Sequence, residues 1–430
     1  MHNKPPLRLG IAGLGTVGSE VARIIETQGQ QLAIRTGRDI VITAVSARDK
    51  TKKRSCSIKS AVWVANPVDM AARDDVDAVV ELIGGSEGAA RDLAIATLKA
   101  SKAYITANKA LLAHHGQELA ALSEKHKAPL YCEAAVAGGI PVIKTMRESL
   151  AGNTLKEVYG ILNGTCNYIL TSMRATGRNF PEVLAEAQAL GYAEADPTFD
   201  IDGLDTAHKL AILSSLAFGA PVDLASLSVS GIRNITTTDI IFAEELGYRI
   251  KLLGVTRLTE KGLMQRVSPY MVPVNAQIAH VDDVLNAVFI EGSILGPLTL
   301  IGRGAGGGPT ASSVLSDIID VADGRIALAF AIPVAHLQAV KPLAPADSLG
   351  SFYIRLMVAD KAGVLADLAA ILRDENISIQ SLLQKGRSEA GPVPVVFITH
   401  DSNEKAIAQA LAKLSTLPSV LEAPCVIRIL

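Results

Sequence analysis

At 430 residues, with 41 Lys plus Arg against 43 Asp plus Glu, the chain carries a formal net charge of -2, which gives no electrostatic reason to expect nucleic acid or an anionic membrane as partner. No apolar run approaches the ~18 residues of a transmembrane helix, the N-terminus M-H-N-K-P-P-L-R-L-G lacks the apolar core of a signal peptide, and Cys56, Cys132, Cys166 and Cys425 show neither C-x-x-C spacing nor a matching histidine cluster. What remains is a cytoplasmic enzyme of two or three domains acting on small molecules.

Residues 7–13, L-R-L-G-I-A-G, read as a short buried strand, and from Thr16 the apolar positions Val17, Val21, Ile24 and Ile25 recur at helical spacing. Strands at 39–46, 76–83, 103–106 and 129–134 alternate with helical stretches at 86–100 and 109–127. Such alternation predicts a parallel, doubly wound, Rossmann-like α/β sheet over residues 1–138. From 139 to 302, strands (155–162, 248–257, 263–272, 284–291) mix with helices (141–150, 166–176, 181–190, 203–218), as in a separate α+β substrate and dimerisation domain. A glycine cluster from Gly302 to Thr310 precedes a helical pattern at 310–321. That segment, within about 303–340, is expected to return the chain to the first domain. Residues 333–347 have linker composition. Beyond them, over 349–430, the order strand (351–359), helix (363–376), strand (377–384), strand (393–400), helix (402–415), strand (418–429) is the βαββαβ of a ferredoxin-like domain.

Gly13, Gly15 and Gly18 form G-L-G-T-V-G, with Thr16 and Val17 in the same turn, between the first strand and the first helix. A lone G-x-G-x-x-G is a weak signal, but in this context it is a dinucleotide fingerprint whose glycines admit a pyrophosphate to the helix N-terminus. An NAD site calls for an acid at the end of the second strand. Here stand Ser46, Ala47 and Arg48, followed by Asp49, Lys50, Lys52, Lys53 and Arg54. Cations in that place favour a 2′-phosphate, hence NADP with NAD as the other possibility, and Arg48 is the expected pairing group. A solvated basic loop is the alternative reading. Lys109, in I-T-A-N-K, falls at the carboxyl edge of the sheet where open α/β folds bind ligands. A cation opening a helix opposes the helix dipole, which points to a ligand role over an ordinary surface lysine.

The run Gly191 to Lys209 packs Glu194, Asp196, Asp200, Asp202 and Asp205 ahead of Lys209. Asp205 and Lys209 are i and i+4 neighbours on one helix face, a pair that contributes only about 0.3–0.5 kcal/mol on a surface. Beside a nicotinamide, a lysine held by carboxylates would be a general acid able to protonate an oxygen as hydride reaches its carbon.

G-L-G-T-V-G, I-T-A-N-K, C-E-A-A-V-A-G-G-I-P-V-I, G-I-L-N-G-T-C-N-Y-I-L, L-G-Y-A-E-A-D-P, D-x-x-G-x-D-x-x-x-K and G-R-G-A-G, in this order over residues 7 to about 320, together resemble homoserine dehydrogenase. The resemblance implies interconversion of L-homoserine and L-aspartate 4-semialdehyde with a nicotinamide cofactor, on the route to threonine, methionine and isoleucine. It implies Lys209 as proton donor, with Lys109 assisting and Asp200 in support. Glu194 and Asp205 would bind homoserine, with Thr165 and Tyr192 lining the same pocket, and Gly191, Gly302, Gly304 and Gly306 would close over the cofactor. It further implies a monovalent cation, sodium, held by Glu133, Val136, Gly138 and Ile140, and a homodimer or homotetramer. Cys166 departs from the threonine more usual after N-G-T. The tail resembles an ACT domain, whose amino-acid site would map to D-K-A-G-V-L-A, with Asp360, Gly363 and Val364, and whose expected effector is threonine. No kinase segment is expected ahead of residue 7. Two other readings stand beside this one. A nucleotide-binding sensor would require a decayed Gly191–Lys209 run, and an oxidoreductase of another amino-acid aldehyde would be separated by substrate profiling.

Overall fold

The computed structural model describes residues 4–385 and 391–430. By internal contacts the chain divides into two units, one made of residues up to 158 with 207–227 and 285–340, the other of 159–206, 228–284 and 341–430. The first unit opens with β1 (Leu7–Ala12), α1 (Thr16–Thr36), β2 (Ile40–Ser46), β3 (Val62–Trp63), β4 (Ala78–Glu81), α2 (Ala89–Lys99), β5 (Ala103–Thr106), α3 (Lys109–His126) and β6 (Leu130–Tyr131). The sheet is parallel, in the order β3-β2-β1-β4-β5-β6. Strand order therefore reverses between β1 and β4, where such sheets bind ligands at their carboxyl edge.

The apolar runs of β1 and β4 follow from burial on both faces of this sheet: Leu9, Ile11, Val79 and Val80 are fully buried. The helix Gly307–Asp323 lies in the first unit. Its Ala311, Val314 and Ile318 share one core with Leu9, Val21, Ile25, Val80 and Ile105. Burying a valine or isoleucine contributes ~1.5–3 kcal/mol, so this face alone ties the glycine cluster that precedes it to the dinucleotide half. Ahead of the helix, Leu285–Gly292 and Gly296–Arg303 form an antiparallel hairpin. Its second strand escaped the sequence reading because it opens on Gly296-Pro297 and ends in the glycine cluster.

In the second unit, Tyr248–Thr259 and Gly262–Pro273 pair antiparallel over 12 residues each. The tail is βαββαβ, its strands side by side in the order Cys425–Ile429, Phe352–Ala359, Pro392–Thr399, Ile379–Gln384. The last strand starts at Cys425, not 418. Pro424 precedes it, and Val420 meets Val358 only as an isolated bridge. The tail does not stand apart from the rest of its unit, because Cys425–Ile429 pairs antiparallel with Phe352–Ala359 on one side and parallel with Tyr270 and Met271 on the other. A buried ion pair reinforces the junction: Arg355 Nε lies 2.6 Å from Asp239 Oδ1, which also accepts the Tyr353 hydroxyl at 3.1 Å. Among the described residues no helix is long and apolar enough to cross a membrane.

Candidate active site

Gly13 has φ +104°, and a Cβ there would lie 2.4 Å from the Leu82 carbonyl oxygen. At Gly18 a Cβ would meet the Gly13 carbonyl at 1.9 Å, whereas Gly15 faces open space. The first and third glycines are thus dictated by packing and the second leaves room for a ligand, as a dinucleotide fingerprint requires. Thr16 and Val17 open α1, whose N-terminus has no side-chain cap and no acid in its first turn. Its first N–H groups are therefore left for an anion. Gly307, directly after Gly306 (φ +111°), approaches Thr16, a Cβ being 3.1 Å from Thr16 Cγ2, whereas Gly302 lies against Ile140 and Gly304 against Asn286.

After β2, Arg48 is exposed. The residue that reaches the fingerprint is Arg54: its Nε donates to the Leu14 carbonyl at 3.4 Å and its guanidinium lies 5.5 Å from the Trp63 ring centre. Asp49 accepts the Thr51 hydroxyl (2.7 Å) and the N–H groups of Thr51 and Lys52. The Thr51 hydroxyl, above all, holds the Asp49 carboxyl below the usual range. The acid nearest the end of β2 is committed to its own loop.

Lys109 is the first residue of α3, and Asn108 caps that helix by accepting the Leu111 N–H at 3.1 Å. Asn108 Nδ2 donates to the Gly85 carbonyl at 2.7 Å, and its N–H reaches Thr106 Oγ1 at 2.9 Å. Thr106 in turn donates to Glu81 Oε2 at 2.6 Å, and Glu81 Oε1 accepts the N–H groups of Ile83 (2.6 Å) and Gly84 (3.0 Å). Glu81, Thr106 and Asn108 are all buried, and none was singled out from the sequence. The usable signal was a polar residue of N-cap type directly ahead of the helix that Lys109 opens.

In the second unit the hub is Asn163, also unassigned from the sequence. One amide, Asn163 Nδ2, donates to Asp200 Oδ1 at 2.8 Å and to Asp205 Oδ2 at 2.9 Å, while its oxygen caps the helix Gly164–Thr176 through the Cys166 N–H at 2.8 Å. Thr165 Oγ1 donates to the Tyr192 carbonyl at 2.7 Å and sits 3.4 Å from Asp200 Oδ2. The turn at Cys166 survives, and its thiol donates to the Asp200 carbonyl at 3.3 Å, a contact a threonine hydroxyl would also reach for. Sequence reasoning thus named four residues, Asp200, Asp205, Thr165 and Tyr192, that converge here. Glu194 and Gly191 (φ +75°) are exposed on the preceding loop. Asp196 accepts the Thr198 N–H and Asp202 pairs with Arg233. Asp205 and Lys209, one turn apart on the helix Leu204–Phe218, are both buried, at 4% and 8% exposure.

The turn proposed for a cation runs from Glu133 to Ile140. Glu133 is buried, and its carboxylate accepts the N–H groups of Ile143 (3.0 Å) and Lys144 (2.7 Å). Burial pushes it up to about 7 against those bonds. Ala137 (φ +54°) and Gly138 (φ +51°) are successive left-handed residues, and the Gly138 carbonyl accepts Ser313 Oγ at 2.7 Å. Among the described residues no three His, Cys, Asp or Glu side chains gather as a metal cage. In the tail, Gly363 (φ +93°) caps the helix Val364–Asp374, and Asp360, Gly363 and Val364 line a cavity of about 240 Å³. A larger cavity, about 500 Å³, lies between the Tyr248–Pro273 hairpin and the C-terminal strand, lined by Arg257, Tyr270, Asp401 and Arg428, and holds no residue singled out from the sequence.

Residues 13–133 match the homoserine dehydrogenase NAD-binding domain, 141–319 the homoserine dehydrogenase family, and 352–416 the ACT domain. The homoserine dehydrogenase of Neisseria gonorrhoeae is 44% identical over 423 residues, 96% of each chain. The crystal structure of a homoserine dehydrogenase from Thiobacillus denitrificans superposes with TM-score 0.93 at 40% identity, covering 99% of this chain and 98% of that one. A hyperthermophilic archaeal homoserine dehydrogenase in complex with NADPH aligns at TM-score 0.63 and 26% identity over 73% of this chain and 97% of its own. With a fingerprint turn shaped for a dinucleotide, an acid cluster gathered on one amide, and relatives of this similarity along nearly the whole chain, the protein belongs to the homoserine dehydrogenase family of nucleotide-dependent oxidoreductases and carries a C-terminal ACT domain.

Proposed function

We propose that the chain interconverts L-homoserine and L-aspartate 4-semialdehyde, supplying threonine, methionine and isoleucine synthesis. The observation that carries this reading is the convergence of Asp200 and Asp205 on Asn163, one helical turn ahead of the buried Lys209. A bound dinucleotide supplies hydride to the aldehyde carbon or accepts it back. Lys209 gives the aldehyde oxygen its proton in the reductive direction and takes it in the other. Asp205 and Glu194 hold the substrate ammonium group, with Thr165 and Tyr192 beside it. Asp200 supports Asp205 by sharing the Asn163 amide with it, and Lys109 assists at the substrate and the nicotinamide. Gly191, Gly302, Gly304 and Gly306 close over the cofactor. Removal of a general acid costs ~10²–10⁴-fold in rate. Lys209→Ala should therefore lower kcat by about that factor, with dinucleotide affinity nearly unchanged, in initial rates of homoserine-dependent NADP reduction. Near-normal turnover would defeat the assignment.

NADP is the preferred dinucleotide in this reading. Asp49 is committed to its own loop and Arg54 stands beside the fingerprint over Trp63, an arrangement suited to a 2′-phosphate; the archaeal relative was solved with NADPH. Arg54 joins Arg48 as the group that would pair with it.

The Glu133–Ile140 turn fits a monovalent cation. Ala137, a non-glycine residue in the left-handed region, stores strain of the kind that collects at ligand sites, and a buried carboxylate, Glu133, stands four residues before it. Glu133 with the carbonyls of Val136, Gly138 and Ile140 would hold sodium, which would fix this turn of the first unit. We further assign 1–138 with 303–340 to the dinucleotide domain, 139–302 to the substrate and dimerisation domain, and 349–430 to a regulatory domain that binds an amino acid, threonine by preference, at Asp360, Gly363 and Val364. The assembly in this reading is a homodimer or homotetramer.

A further inference from the structure

Glu81 ends β4 at full burial, and among the described residues no lysine or arginine pairs with it. A carboxylate withdrawn from water without a cation is costly unless donors surround it, and they do. Two of those donors are the N–H groups of Ile83 and Gly84, which begin the loop whose Leu82 carbonyl lies against Gly13 of the fingerprint. The third is the Thr106 hydroxyl, and the buried Tyr104 hydroxyl adds a longer bond, 3.4 Å, to the same Oε2. The Thr106 hydroxyl has one proton to give and gives it to Glu81, which leaves its lone pairs for the Asn108 N–H. Asn108 then fixes the first turn of α3 with its oxygen and the Gly85 carbonyl with its amide. Gly84 and Gly85 have φ of +86° and +85°, so this loop bends where only glycine is unstrained, and its two ends are held by the same network.

We propose that Glu81 is a positioning residue that sets two elements together: the glycine loop beside the dinucleotide fingerprint, through Ile83 and Gly84, and the start of the helix that presents Lys109, through Thr106 and Asn108. A neutral amide here would keep its oxygen toward the Ile83 and Gly84 N–H groups and turn its NH₂ toward Thr106 Oγ1, which could accept it beside the Asn108 N–H but would lose Glu81 as the acceptor of its own proton. A carboxylate accepts on both oxygens and so takes the Thr106 proton as well as the two N–H groups. The inference rests on the reading of Lys109 as a group that acts on substrate and nicotinamide.

The two arms separate by substitution. Thr106→Val keeps the Ile83 and Gly84 bonds and cuts only the arm to Lys109, so kcat should fall about tenfold to a hundredfold, the scale of a misplaced reacting group, while dinucleotide Kd by fluorescence titration stays within about twofold. Thr106→Ser, which restores the hydroxyl, should recover most of that loss. Glu81→Gln should raise dinucleotide Kd as well as lower kcat. In a Lys109→Ala background, Thr106→Val should cost nothing further, because a residue acting through Lys109 cannot act once Lys109 is gone. Asn108→Ser, which keeps the cap on α3 and loses the Gly85 bond, carries the same cycle should Thr106→Val not fold. An undiminished loss in the Lys109→Ala background, or a Thr106→Ser enzyme as slow as Thr106→Val, would overturn the proposal. Full turnover by Lys109→Ala alone would instead remove the reading of Lys109 beneath it, and this inference with it.

Discussion

Asn163→Ala tests the acid cluster at its centre. The substitution removes two hydrogen bonds to carboxylates, at 2.8 and 2.9 Å, and the cap on the Cys166 N–H. Each bond to a charged group contributes ~1.5–3 kcal/mol and the cap ~1 kcal/mol. Asp200 is only half-buried and water can replace part of its loss, whereas Asp205 is 4% exposed and cannot recover its donor so easily. The lower ends sum to about 4 kcal/mol, and discounting the share of Asp200 leaves about 3 kcal/mol as the working figure. For a unit of this size it corresponds to a fall of about 6–12 °C in Tm by calorimetry. The near-isosteric Asn163→Asp makes the sharper comparison, because it puts a third carboxylate where the shared donor stood. A proton must then enter the group for all three to stay within hydrogen-bond reach. Its homoserine-dependent rate should be depressed at neutral pH and should recover relative to wild type as pH falls. Wild-type Tm and KM in both variants would show that Asn163 does not organise these carboxylates.

Arg54→Ala should raise KM for NADP about tenfold to a hundredfold, the range of a lost charge-assisted contact, with KM for NAD little changed. Equal losses for both dinucleotides would place Arg54 in the loop and not at the 2′-phosphate. Gly13→Ala puts a Cβ 2.4 Å from the Leu82 carbonyl at φ +104°, so the purified variant should fail to bind either dinucleotide in a titration, and normal affinity would contradict the fingerprint geometry. Lys251 is buried, with its ammonium on the Val281 carbonyl (2.6 Å), Asp282 (3.0 Å) and Asn167 (3.1 Å), and Arg174 and Arg249 also face Asp282. Burial outweighs Asp282 and brings Lys251 down to about 8. A lysine lowered in the folded state releases its proton before the unfolded chain does, so stability should rise with pH between about 8 and 10.5 and lose that increment as pH falls back through 8. Thermal melts across this window should show the rise in wild type and a flatter profile in Lys251→Met. Identical profiles would refute the linkage.

The dinucleotide half was legible because burial on both faces of a parallel sheet forces apolar runs, and because the fingerprint glycines answer to two backbone collisions that no other residue avoids. The acidic run was legible as a cluster, since five carboxylates ahead of one lysine can be counted along the chain. What gathers them could not be counted. Asn163 is neutral and stands 37 and 42 residues ahead of its two partners, so the contacts that give it a role exist only after the loop has folded back. Arg48 and Arg54 show the same limit at shorter range. Both were visible as cations after β2, but only Trp63 and the Leu14 carbonyl decide which of them faces the fingerprint.

The tail posed a different problem. Its βαββαβ order follows from periodicity, yet its last strand is shared with the Gly262–Pro273 strand through a register of two residues, Tyr270 with Arg428 and Met271 with Ile429. Two paired residues leave no pattern in a sequence, and Asp239 and Arg355, 116 residues apart, read as surface charges until both are buried against each other. Glu81 is the extreme case. In V-D-A-V-V-E-L-I an acid at the end of a strand looks like the point where the chain meets water, and charge counting assigns it there. Its actual partners are the Thr106 hydroxyl and the N–H groups two and three residues further on, in a turn that continues through Gly84 and Gly85 at positive φ. Both glycines were in plain view. Read as a demand for a tight return, they would have implied an acceptor at the strand end for the N–H groups that such a return leaves without a partner.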